Sequence, residues 1–259
     1  MAVKPKVAFF SFTSCEGCQL ALLECENELL DILGAIDVVK FREAMSETSD
    51  EYDIAFIEGS ISTPHDEEKI KKIRDTAKVI VEFGACAATG GLNAMRNSMG
   101  TEEDHYEELR EKVYGPVGVE HFRSTKARPV HAVVPVELTI PGCPVDRGHL
   151  LEVIEAVLVG RSPRQFDHPL CVECKLNDTV CVVEAYGQMC MGPVTRAGCD
   201  SICPNVGDAC EGCRGLLPSG NFAAHQQMLE EHGNSKEEIR LRYLMFNAYP
   251  CEELEVPLP

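Results

Sequence analysis

Residues 7–34 read VAFFSFTSCEGCQLALLECENELLDILG, and their pattern decides the fold. Val7–Phe12 is a short apolar run that fits a buried strand, a loop holding Ser14–Cys18 follows at once, and Gln19–Leu33 has helical spacing. Leu20, Leu23, Leu30 and Leu33 fall near one face of that helix, Glu24, Glu26 and Asp31 interrupt them, and Gly34 is placed to end it. Strand, loop and helix in this order begin a parallel α/β sheet.

The same pattern recurs downstream. Asp53–Ile57 precedes Glu58-Gly59-Ser60, and Glu67–Asp75 reads as a surface helix. Val79–Phe83 runs into GACAATGG, Glu102–Val113 has helix-forming composition, and the neighbourhood of Pro116, Arg128 and Pro129 reads as loop. Val136–Ile140 ends in PGCP, and Leu150–Val159 is a covering helix closed by Gly160. The alternation predicts a flavodoxin-like parallel sheet domain over residues 1–162, with helices on both faces and a strand order that cannot be read. From Ser162 the character changes. Pro163, Pro169, Pro193, Pro204 and Pro218 punctuate a region with little periodicity, which predicts a small irregular ferredoxin-like domain over residues 163–259 in which metal centres replace a hydrophobic core. Helical composition returns over residues 221–246, and an exposed tail is expected from Tyr249.

Residues 171–213 hold eight of the fourteen cysteines, separated by 2, 6, 8, 8, 3, 6 and 2 residues. Four thiolates suit one tetrahedral zinc or one cubane, so Cys171, Cys174, Cys181, Cys190, Cys199, Cys203, Cys210 and Cys213 can fill two centres with no sulfur left over. The Cys203-Pro204 pair, which bacterial ferredoxin runs share, favours iron-sulfur over zinc. Spacing leaves a sequential and a crossed division of the eight equally open. Four further cysteines, Cys15, Cys18, Cys86 and Cys143, each follow the carboxyl end of a predicted strand, where an open α/β sheet collects its ligands. Together they predict a third cubane. Gly17, Gly84 and Gly142 beside them let backbone approach a bulky group. Cys25 reads as a core residue and Cys251 as a tail residue that binds no metal. No histidine falls in an HxxxH or HExxH pattern, and GACAATGG lacks the GK[ST] of a phosphate loop.

A formal charge of −18, from 42 acidic and 24 basic side chains, argues against nucleic acid as partner. The N-terminal MAVKPKVAFFSF carries neither a signal-peptide pattern nor twin arginines, and no apolar run reaches bilayer length. No membrane span and a cytoplasmic location are therefore expected, and in that reducing compartment the thiols point to metal rather than disulfides.

TSCEGCQL, DIAFIEGS, GACAATGG, PGCP, CVECKLNDTVC, CMGPVTRAGC and CPNVGDACEGCRG, in this order, resemble the small, electron-transferring subunit of nickel-iron hydrogenases. The likeness is to the soluble multisubunit kind that reduces nicotinamide, viologen dyes or deazaflavin, and it spans nearly the whole chain. It implies three 4Fe-4S clusters. Cys15, Cys18, Cys86 and Cys143 would hold the one nearest a hydrogenase large subunit that carries nickel and iron. The two clusters of residues 171–213 would continue toward a flavin/NAD(P)- or ferredoxin-type electron-transfer subunit. The chain lacks the paired CxxC motifs near its ends that mark nickel ligands, so the resemblance assigns no catalytic residue here. An acidic residue is common in the family at the position of Glu58, which suggests a part in hydrogen bonding or proton movement. The alternative is an iron-sulfur subunit of another oxidoreductase complex. Against the related complex I subunit, with adjacent cysteines in its motif, stands Cys15-Glu16-Gly17-Cys18.

Overall fold

A computed structural model describes residues 4–100, 105–115 and 124–259. Five parallel strands form one sheet in the order β2-β1-β3-β4-β5, with β1 Lys6–Ser11, β2 Asp37–Lys40, β3 Ile54–Glu58, β4 Val79–Phe83 and β5 Leu138–Ile140. That order is the flavodoxin-like one. All five residues of β3 are buried, which is why Ile54–Ile57 is a continuous apolar run rather than an alternating one, ended by the buried Glu58. On one face Phe9, Phe41, Phe56 and Phe83 pack together, with Phe9 and Phe56 stacked at 4.9 Å and Phe56 edge-on to Phe83 at 5.7 Å. Ile57, Ile61, Ile70, Ile73 and Ile80 fill the other.

The helix expected over residues 19–33 is two helices, α1 Gly17–Leu23 and α2 Glu26–Ala35, with Cys25 between them. The break turns the Cys25 thiol inward, where it donates to the Ala21 carbonyl at 3.4 Å and is fully buried beside Leu22 and Ile32. Leu20, Leu30 and Leu33 are consequently exposed instead of forming the core face, and Gly34 lies inside α2. Helix α3, Pro64–Thr76, starts at a Thr63–Asp66 capping box with proline in its first turn. Short α4, Ala85–Thr89, follows β4 directly, and α5 covers His105–Tyr114. The expected start of α5 at Glu102 and the loop residue Pro116 lie outside the described residues. Helix α6, Arg147–Val159, is capped by Asp146 and ends at Gly160.

Residues 163–259 carry α7 Cys171–Leu176, α8 Val182–Tyr186, α9 Ile202–Asn205, α10 Phe222–Glu231 and α11 Lys236–Glu253. Two expectations fail here. The region has its own hydrophobic core, in which Leu170, Val182, Met191, Leu229, Ile239 and Tyr243 pack together, so metal centres do not stand in for one. The expected exposed tail is the last turn of α11, and Cys251 is buried in that core. Helix α11 kinks at Asn247 (φ −127°, ψ 27°), so Pro250 lies in the first turn after the kink, where its missing N–H has no helical partner to lose, and the Phe246 carbonyl before the kink accepts from Thr89 Oγ1 at 2.9 Å. This bond ties α11 to α4, and Ala94, Ala127, Leu244 and Ala248 pack around it.

Candidate metal centres

The carboxyl edge of the sheet gathers the first four cysteines. Cys15 and Cys18 follow β1, Cys86 lies in the first turn of α4 after β4, and Cys143 follows β5. They are electrostatic neighbours. Burial pushes the Cys86 thiol up to about 12, with the charges of Cys143, Cys15 and Glu58 adding to it. Cys18 is raised by burial, then by Glu58, Cys143 and Cys86, and Cys143 by burial, then by Cys15 and Glu58. Thiols that raise one another in this way ionise together only when a cation neutralises them. Gly84, at φ +93°, gives the edge its room, since a Cβ there would run into the Cys18 sulfur.

Between β1 and β4 the end of β3 supplies Glu58, only 2% exposed. Its Oε1 accepts the Cys18 amide at 3.0 Å and its Oε2 accepts Gln19 Nε2 at 2.7 Å. Burial outweighs those bonds and holds the carboxyl above its usual range. Asn93 Nδ2 reaches the Cys86 sulfur at 3.7 Å.

The eight remaining cysteines fall into two sets that follow chain order. Cys171, Cys174, Cys181 and Cys190 form one. Burial first, then Cys190, Cys174 and Cys181, push Cys171 up to about 11. Gly192 sits between two of their sulfurs, because a Cβ there would meet Cys171 Sγ and Cys190 Sγ, each at 3.4 Å. His225 fixes the Cys190 backbone: its Nε2 lies 2.9 Å from the Cys190 carbonyl and its Nδ1 2.6 Å from Tyr243 Oη. The network assigns a neutral ring that donates from Nε2 and accepts at Nδ1, and burial keeps its pKa low.

Cys199, Cys203, Cys210 and Cys213 form the other set and line one cavity of about 910 Å³ together with Cys143. Burial is again the first cause of their raised pKa values, with Cys199 at about 12 and Cys213 at about 11. Two buried residues that sequence reading missed shape this set. Glu173 accepts the amides of Gly198 at 2.6 Å and Ser201 at 3.1 Å, which holds Asp200 and Ser201 at φ of 54° and 50°, a region that side chains other than glycine avoid. Arg214, 3% exposed, donates to Ala197 O at 2.7 Å, Pro141 O at 2.9 Å and His149 Nδ1 at 3.1 Å. Burial and the Arg214 charge push His149 down to about 4, so the ring is a neutral acceptor. Neither residue has a local motif, since their partners lie 17 to 73 positions away.

One shared cavity and one amide-to-sulfur bond join the three sets. Cys143 lines the same cavity as Cys199, Cys203, Cys210 and Cys213, and the Cys210 N–H donates to the Cys190 sulfur at 3.3 Å. The order in space is therefore Cys15/18/86/143, then Cys199/203/210/213, then Cys171/174/181/190. Among the described residues no three histidine, cysteine, aspartate or glutamate side chains converge on one point as a single ion requires. The donor chemistry is thiolate only, and the cradles at Gly192 and Gly84 and the thiol-lined cavity suit a bulky iron-sulfur group.

A flavodoxin-like sheet with four thiols on its carboxyl edge, continued by two more thiol quartets, defines an iron-sulfur oxidoreductase subunit. Residues 15–157 match the family described as NADH ubiquinone oxidoreductase, 20 Kd subunit. Sulfhydrogenase 2 subunit delta of Pyrococcus furiosus is 35% identical over 227 residues, covering 87% of this chain and 92% of that one. The structure of an NAD+-reducing nickel-iron hydrogenase in the H2-reduced state matches at 26% identity and a TM-score of 0.56, over 63% of this chain and 96% of the other. An actinobacterial-type nickel-iron hydrogenase from Ralstonia eutropha H16 matches 96% of this chain and 88% of its own at a TM-score of 0.59, a likeness of fold alone at 16% identity. The chain belongs to the 20 kDa oxidoreductase-subunit family and, within it, to the hydrogenase small subunits, which bind iron-sulfur clusters. No helix among the described residues is long and apolar enough to cross a membrane.

Proposed function

We propose that this chain is the electron-transfer small subunit of a nickel-iron hydrogenase, holding three 4Fe-4S clusters on the three thiol quartets. Residues 1–162 form the flavodoxin-like unit and residues 163–259 the two-cluster unit, working in the cytoplasm. Cys15, Cys18, Cys86 and Cys143 hold the cluster nearest a large subunit that carries nickel and iron. Cys199, Cys203, Cys210 and Cys213 hold the middle one, and Cys171, Cys174, Cys181 and Cys190 the outer one, which faces a flavin/NAD(P)- or ferredoxin-type subunit. The observation that carries this reading is the run of contacts through the middle quartet: Cys143 lines one cavity with Cys199, Cys203, Cys210 and Cys213, and the Cys210 N–H donates to the Cys190 sulfur, which supports one unbroken series of quartets.

Bound clusters supply one-electron carriers whose potentials follow hydrogen bonding to sulfur, burial and local charge. The chain's own residues set those terms. Amides of Cys210 and Gly212 donate to the sulfurs of Cys190 and Cys210, and Arg214 brings a buried positive charge beside Cys199 and Cys213. Glu58 anchors the Cys18 amide and Gln19 at the inner end.

Anaerobic purification of the complex with iron, sulfide and zinc analysis tests the reading. At least about twelve irons and twelve acid-labile sulfides per copy of this chain are expected for its three cubanes, beyond the iron of the partner subunits, together with a large subunit bearing two CxxC pairs. Stoichiometric zinc without sulfide overturns the electron-transfer role, and a partner without those pairs overturns the hydrogenase assignment.

A further inference from the structure

In a chain with 42 acidic against 24 basic side chains, an arginine without a carboxylate is the exception. Arg74 pairs with Glu137 at 2.8 Å, Arg128 with Glu67 at 2.7 Å and Arg242 with Glu211 at 3.2 Å. Arg196 and Arg164 depart from that pattern. Among the described residues the half-buried Arg196 side chain enters no hydrogen bond and no ion pair, and the Arg164 guanidinium lies over the Phe166 ring at 4.8 Å with no ion pair of its own. Both line one cavity of about 200 Å³ at the junction of β5 with the cluster-bearing region, where Thr139 and Pro141 also line it. The backbone that carries Arg196 is fixed there: its amide donates to the Gly215 carbonyl at 3.2 Å, and the next amide, of Ala197, donates to the His168 carbonyl at 3.0 Å.

The acids around the cavity are already engaged. Glu137 accepts from Arg74 at 2.8 Å and from the Ile80 amide at 2.7 Å. A second cavity, of about 320 Å³, shares Thr139, Pro141, Arg196 and Arg214 with the first. There Glu82 accepts from the His131 amide and from Thr139 Oγ1, and Glu253 faces His131 Nε2 at 3.6 Å. Arg214 turns its own charge to Cys199 and Cys213. The first cavity therefore keeps two positive charges, Arg196 and Arg164, that no ion pair neutralises, against one remaining carboxylate, the exposed Asp167. A chain of charge −18 repels anions at large, so any anion it binds has to be recognised locally. The guanidinium fork matches the oxygens of a phosphate.

We propose that Arg196 and Arg164 hold a phosphate-class oxyanion in this cavity, at the seam between β5 and the residues leading to Cys199. The space is smaller than the about 300–1,000 Å³ of pockets that enclose drug-sized ligands, which favours a free ion over a nucleotide. The site is independent of the relay, because it needs the two guanidiniums and not the clusters.

The test is equilibrium dialysis of radiolabelled inorganic phosphate against the purified complex, with ionic strength held constant by chloride. The parent should show a saturable phosphate site on each copy of this chain, and Arg196→Gln should weaken it at least about tenfold at unchanged iron content. Arg196→Lys keeps the charge without the fork and should fall between the two. Arg164→Gln, at an exposed position, should weaken the site at least about threefold. Phosphate should also raise the thermal midpoint of the parent more than chloride at equal ionic strength. Sulfate should displace the phosphate. Weaker displacement by ADP than by sulfate identifies the free ion as the ligand, and stronger displacement identifies the phosphate end of a nucleotide; either upholds the oxyanion site. No saturable phosphate on the parent complex, as when a partner subunit's carboxylate occupies Arg196, or binding unchanged in either glutamine variant, overturns it.

Discussion

Replacing Arg214 with methionine tests whether one buried guanidinium holds the sheet and the cluster region together. Its three bonds span both: Pro141 follows β5, His149 is in α6, and Ala197 precedes Cys199. Methionine fills similar volume and leaves the Pro141 and Ala197 carbonyls without that donor, at about 1–3 kcal/mol each. Removing a charge whose burial is costly returns part of this. The net loss should be about 3 kcal/mol, which at a urea slope of about 3 kcal/mol per molar moves the unfolding midpoint down by about 1 M. The assay is anaerobic urea unfolding of the complex, followed through the visible absorbance of the clusters. Arg214→Lys keeps the charge and loses the fork geometry, so it should recover less than half of the shift. A methionine variant shifted by under about 0.2 M, or a lysine variant identical to the parent, would refute the reasoning.

Four further outcomes follow from the geometry. Cys86→Ser should abolish dihydrogen-dependent dye reduction while about two thirds of this chain's own cluster iron remains, since only the inner quartet loses a ligand; unchanged activity would remove Cys86 from that set. Gly192→Val should cost about one third of this chain's own cluster iron, because its γ-methyls extend past a Cβ that already touches Cys171 Sγ and Cys190 Sγ at 3.4 Å, with Cys15/18/86/143 chemistry preserved in the paramagnetic spectrum. Glu58→Gln turns an amide donor toward the Cys18 N–H or Gln19 Nε2 and should destabilise by about 1–3 kcal/mol, read as a lower thermal midpoint at constant iron content. His131, hydrogen-bonded to Glu82 Oε1 at 2.8 Å, has its pKa raised by that bond first, with Glu253 adding and burial and Arg196 opposing. A raised histidine stabilises fully below its unfolded value of about 6.5, and the gain disappears as pH rises through the folded value. Midpoints should therefore fall across that window in the parent and stay flat in His131→Asn.

Much of this was legible before coordinates. β3 and β4 are mostly apolar because both faces are covered, broken only by the buried Glu58 and Glu82, and their ends declare themselves through Glu58-Gly59 and Gly84-Ala85-Cys86. The edge strand β2 was not legible: DVVK is four residues, half-buried, with charged ends. Leu20, Leu30 and Leu33 mimic a core face by spacing, yet the break at Cys25 rotates α2 so that Ile32 and Ile36 enter instead. The tail expected from Tyr249 continues α11 instead, after a kink at Asn247 whose freed Phe246 carbonyl is taken by Thr89, in a different part of the chain. Spacing also left the division of the eight clustered cysteines open, since nothing local to Cys190 or Cys199 says which side of a boundary each is on.

The boundary follows from Gly192 and Glu173. Gly192 opens space between Cys171 and Cys190, which ties the first four together. Glu173, one residue from Cys174, reaches across to the Gly198 and Ser201 amides and bends the chain sharply just after Cys199. Everything after that bend is led back toward the sheet, so that Cys213, the last of the eight, meets Cys143. The polypeptide thus visits the outer quartet first and the middle one second, the reverse of the spatial series that starts at the sheet. Its cost is a linker, residues 163–170, that must pass the middle quartet before any of its cysteines exist in sequence. Arg214, placed directly after Cys213 and bonded to Pro141 just before Cys143, is the residue that closes the return. A chain that ran outward in simple order would need no such clasp.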